Sequence, residues 1–100
     1  MQQPRVTVTP LPDYREGYSN SVQIRVSLWD FFLQFGRLGK QTADEVDIEV
    51  FEGIYMSPQQ TKALYRVLGE NQAQYEQAFG EIQQAPGAAY AAGTGPQRPN

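Results

Sequence analysis

The stretch V-Q-I-R-V-S-L-W-D-F-F-L-Q-F-G, Val22 to Gly36, changes phase in its middle. Up to Leu28 the apolar residues fall on even positions (Val22, Ile24, Val26, Leu28); from Phe31 they fall on odd ones (Phe31, Leu33, Phe35), with Phe32 facing the other way. Alternation with a period of two is the mark of a half-buried strand. A flip of phase has two physical sources, a β-bulge inside one strand or a tight turn between two. Ser27 and Asp30 flank the flip, and both residue types bond to nearby backbone in turns. The turn is therefore the preferred reading, with Phe31–Phe35 folding back antiparallel on Val22–Val26 and Gly36-Arg37-Leu38-Gly39-Lys40 closing the strand in a loop.

Working outward, a third and longer strand is expected over Glu45–Met56. Simple alternation puts Val46, Ile48, Val50, Ile54 and Met56 on one face and Asp47, Glu49, Phe51 and Tyr55 on the other. Gly53 within it marks a bulge or a close contact. Next comes Ser57-Pro58-Gln59-Gln60, which has the chemistry of a helix start: a hydroxyl at the N-cap, proline at the first helical position and Gln three residues after the cap. Leu64, Val67, Leu68, Tyr75, Ala78, Phe79 and Ile82 then recur at helical spacing, with Gly80 as the stop. The fold class expected is α+β, a small antiparallel sheet of three to four strands with one long C-terminal helix packed on one face. Residues 1–17 read as an extended arm or edge strand, 18–84 as the single domain, and the Ala/Gly/Pro-rich 85–100 as a disordered tail.

Composition narrows the chemistry. One hundred residues allow one modest core. With no Cys and no His, disulfides, thiolate metal sites and Ser-His or Cys-His nucleophiles are all excluded. A net charge of -3 opposes nucleic acid and anionic membranes, whose recognition needs a basic face. The first ten residues have neither a positive run nor an apolar segment of signal-peptide type, so a cytoplasmic protein is expected.

These segments resemble a family of short bacterial proteins known as domain of unknown function family 3467. The likeness lies in Y-S-N-S-V-Q-I-R-V-S-L-W-D-F-F-L-Q-F-G (Tyr18–Gly36), in I-Y-M-S-P (Ile54–Pro58), in Lys62 with Leu64, and in N-Q-A-Q-Y-E-Q-A-F-G (Asn71–Gly80). Gln72 stands where the family pattern carries an aliphatic residue. The resemblance implies a small sheet with a long helix and no particular activity. In layout alone the chain is also similar to the SecB-like export chaperones, which combine an antiparallel sheet with a long helix.

Candidate sites are few. Glu45, Asp47 and Glu49 alternate along the third strand, but carboxylates in a row do not converge on one ion, and a solvated face is the better reading. Gly36–Thr42 lacks the spacing of a phosphate loop. Asn71 lies on the helical stripe, where a buried polar group needs a partner. One helix covers one face of a sheet, so aromatics on the other face call for a second copy: Trp29, Phe32, Phe51 and Tyr55 are the expected interface. The function expected is a non-catalytic oligomeric protein-interaction or scaffold module of unknown role, a homodimer or dimer of dimers without cofactor or metal. The alternative is a SecB-like chaperone, or a protein that binds a peptide or small molecule on an exposed aromatic face.

Overall fold

A computed structural model of the chain describes residues 3–84 and the backbone of 92–96. The sheet is built on three antiparallel strands, β1 (Ser21–Val26), β2 (Phe31–Gln41) and β3 (Val46–Met56), followed by the helix α1 (Pro58–Phe79). The architecture is a small α+β fold.

Between β1 and β2 the phase flip is a turn. Val26 pairs with Phe31 and Val22 with Phe35, so all odd apolar residues of β2 share a face with the even ones of β1. Ser27 organises the reversal. Its amide donates to Asp30 O at 2.9 Å, and its Oγ accepts from the amides of Trp29 and Asp30. Thr42 repeats the device between β2 and β3, its amide donating to Glu45 O and its Oγ1 accepting from the amides of Asp44 and Glu45.

The structure corrects three expectations. First, Gly36–Lys40 is no loop: β2 continues to Gln41, because β3 is long enough to pair with it, Arg37 with Glu49 and Leu38 with Ile48. Second, alternation does not run unbroken along β3. Phe35 pairs with Glu52 but Gly36 pairs with Val50, so Phe51 is an extra residue, a bulge. Beyond it Ile54 and Met56 lie opposite Leu33 and Phe31, whereas Ile48 and Val50 lie opposite Leu38 and Gly36 and so share the other face with Phe32 and Tyr55. Gly36 makes the bulge possible, since a Cβ there would stand 2.7 Å from Glu49 O. Third, Ala92–Pro96, expected within a disordered tail, forms a short strand β4 beside β1 and parallel to it, giving the order β3-β2-β1-β4. An edge strand presents backbone donors and acceptors that a further strand can pair with. The rest of the tail, 85–91 and 97–100, lies outside the described residues.

Residues 3–20 form an arm without strands. Its end is tied to β2: Ser19 Oγ donates to Gly36 O at 2.8 Å, Leu38 N donates to Asn20 Oδ1 at 2.9 Å, and Arg37 Nε donates to Tyr18 O at 3.1 Å.

Helix α1 begins where proline and serine dictate. Ser57, extended at φ -63°, accepts the Gln60 amide on its Oγ, and Gly80 ends the helix at φ 98°, a conformation other residues avoid. At about 1.5 Å per residue the 22 residues span roughly 33 Å. Only the first half, to Leu68, borders the sheet, across an open cleft. The second half overhangs it, and none of the helix is buried. Among the described residues Leu33 is the one buried hydrophobic side chain.

Candidate functional site

Two apolar surfaces result, one on each side of the sheet. On the helix side, Val22, Ile24, Phe31, Leu33 and Phe35 form the floor of an open cleft of about 640 Å³, and Thr61, Leu64, Tyr65 and Leu68 of α1 form its wall. Pro58 and Lys62 complete the wall, Lys62 being the one charged residue of the lining. The floor is the phase-matched set from β1 and β2 that the Ser27–Asp30 turn brings to one face.

On the far side, Phe32 and Tyr55 stack with ring centroids 4.6 Å apart, and the Arg25 guanidinium lies 4.8 Å from the Phe32 centroid. Gly53 supplies the space: a Cβ there would come within 2.7 Å of the Phe32 ring. Of its two meanings in the sequence, the close contact is the one realised, with the bulge two residues earlier at Phe51. Ile48 and Val50 extend this face.

The four aromatic residues expected at one interface are thus divided. Phe32 and Tyr55 share the far face, and Trp29 is 78% exposed at the tip of the turn. Phe51 is a correction, because the bulge turns it away from them. Its ring faces Gly17 of the arm, 4.7 Å from the Arg37 guanidinium, in a second cleft of about 790 Å³ that Asp13–Gly17 of the arm form with Arg37, Glu52 and Ile54. Arg15 and Glu52 approach to 3.9 Å across it, an exposed pair screened by water. Nearby the Tyr14 hydroxyl donates to Glu16 at 2.7 Å, which holds its phenol above the usual range. Asn71 is the other correction. It is exposed, and its amide donates to Val67 O of its own helix at 2.8 Å, so the overhanging half of α1 satisfies it without a second element.

Asp47 and Glu49 are exposed, with Arg37 directly across from Glu49. Among the described residues no group of three or more Asp and Glu side chains is placed to hold a metal ion. No helix among them is long and apolar enough to cross a membrane. The arrangement therefore offers hydrophobic contact and stacking rather than converging polar chemistry. Sequence reasoning put Phe32 and Tyr55 on one face but wrongly grouped Phe51 with them, and it missed the cleft, whose signal was the helix itself: a stripe longer than three short strands can cover.

Comparison with curated proteins and with solved structures gives no match, and so no support for the SecB-like likeness. The family model described as "Protein of unknown function (DUF3467)" matches residues 1–84, the arm, the sheet's three antiparallel strands and the helix together. The chain belongs to that family.

Proposed function

We propose that the chain is a non-catalytic, self-associating protein-interaction module, a homodimer or dimer of dimers acting in the cytoplasm. One observation carries the reading: the fold leaves many large apolar side chains in water, among them Trp29, Tyr55, Leu68, Tyr75 and Phe79. The accessible surface is 9149 Å², against about 5,700 Å² for a compact monomer of this mass. The radius of gyration is 16.8 Å, against about 13 Å for a compact chain of this length. Part of the excess belongs to the arm, where Val6, Val8 and Leu11 are exposed. The cleft, the overhanging helix and the Phe32–Tyr55 face add to it, and soluble monomers rarely expose contiguous apolar patches above a few hundred Å². A homodimer interface of ordinary size removes about 800 Å² or more of such surface from each partner.

A second reading, a SecB-like chaperone or a peptide or small-molecule binding protein, is favoured by the open apolar cleft. Light scattering with dye binding separates the two. A self-associating module has a dimer or tetramer mass at tens of micromolar and binds little hydrophobic dye. A binding protein keeps an open groove and binds dye, or an unfolded client, at the same concentration. A monomer mass refutes self-association.

A further inference from the structure

Resting on that reading, we infer that the cleft between α1 and the sheet is filled by the overhanging half of α1 from a second copy, the two helices running antiparallel about a two-fold axis. Three observations support this occupant.

The first is shape. The helix borders the open cleft beside its own sheet as far as Leu68, and the same apolar stripe then continues through Tyr75 and Phe79, beyond the cleft and exposed. Tyr75 and Phe79 pack on each other, ring centroids 5.0 Å apart, yet are 52% and 76% exposed. Cleft and stripe are each about three turns of helix long, one lacking a filler and the other lacking a cover. An antiparallel pair satisfies both at once and reciprocally, as a two-fold interface requires.

The second is charge. The half of α1 over the sheet carries Lys62 and Arg66 and no acid; the overhanging half carries Glu70 and Glu76, with Glu81 just beyond, and no base. This is the reverse of what a single helix favours, since its dipole prefers anions at the N-terminal end and cations at the C-terminal end. The Arg66–Glu70 pair at 3.2 Å engages one charge of each sign on the exposed surface. Lys62 stays at the cleft wall. An antiparallel neighbour brings its acidic half beside Lys62 and Arg66, whereas a parallel one sets like charges together. Such rim charges fix orientation more than affinity, which the aromatic stripe supplies.

The third is continuity: the floor of the cleft contains Leu33, the one buried hydrophobic side chain among the described residues, flanked by the half-buried Phe31 and Phe35, so the partner's stripe extends an existing core.

Because the native chain has no Cys, cross-linking can read the orientation. Lys62→Cys and Glu76→Cys proteins are treated with a short bismaleimide, each alone and after mixing to allow subunit exchange. The mixture is expected to give far more covalent dimer than either variant alone. Equal or greater cross-linking within one variant overturns the antiparallel arrangement. As a second arm, Phe79→Lys alters a side chain whose ring contact among the described residues is Tyr75 of the same helix, so the fold survives; it is expected to raise the dimer dissociation constant about tenfold or more by light scattering over a dilution series. A native dimer unaffected by Phe79→Lys and lacking mixed cross-links overturns this interface but leaves self-association standing, with the Phe32–Tyr55 face in its place. A native monomer overturns both.

Discussion

Single atoms decide where several elements begin and end. The Ser57 hydroxyl satisfies the Gln60 amide, one of the first-turn donors that a helix cannot pair internally. Ser57→Ala is expected to lower stability by about 1 kcal/mol in urea unfolding, with no change in the sheet. Ser21 is the opposite case: it is 4% exposed, and its Oγ has no hydrogen-bond partner among the described residues. A buried polar group left unsatisfied costs about 1–3 kcal/mol, so Ser21→Ala should be neutral or stabilising in the same assay, and a marked loss would show that another group reaches the hydroxyl. Both serines look alike in the sequence. The cap is legible because its partner lies three residues away; the burial of Ser21 is not, since β2 and the arm create it.

At the scale of elements, the turn at Ser27–Asp30 and the helix start were legible for the same local reason, whereas the bulge at Phe51 was not. Gly36 and Gly53 were visible as glycines, but only the opposite strand shows what each one spares. Gly36→Ala would press a methyl group against Glu49 O, where the backbone cannot yield without loss of register. A destabilisation of roughly 1–3 kcal/mol is expected, read from the shift of the urea midpoint. Gly69 offers a contrast. It lies inside α1, and within one chain a methyl group added there would meet nothing within 4 Å, so at concentrations below dimerisation Gly69→Ala is expected to stabilise the helix by up to about 1 kcal/mol, seen as a higher melting temperature by circular dichroism. A destabilised Gly69→Ala protein would mean that another chain approaches that face closely.

For the whole molecule, the thin core within one chain has a thermodynamic consequence. If association buries what folding leaves open, mass action makes stability depend on concentration. The melting temperature is expected to rise by several degrees between about 1 and 100 μM protein. A constant value would place the stability inside the single chain. The sequence by itself determined the α+β class, the hairpin of β1 and β2, the helix from Pro58 and its stop at Gly80, because each follows from hydrophobic period or from bonds among residues a few places apart. Tertiary structure alone decided that β2 runs on to Gln41, that Phe51 leaves the face of Phe32 and Tyr55, that β4 joins β1, and that α1 overhangs its sheet. Those features depend on which backbone lies across from which, and on how long a helix is relative to the sheet it must cover, neither of which is encoded in the neighbourhood of any one residue.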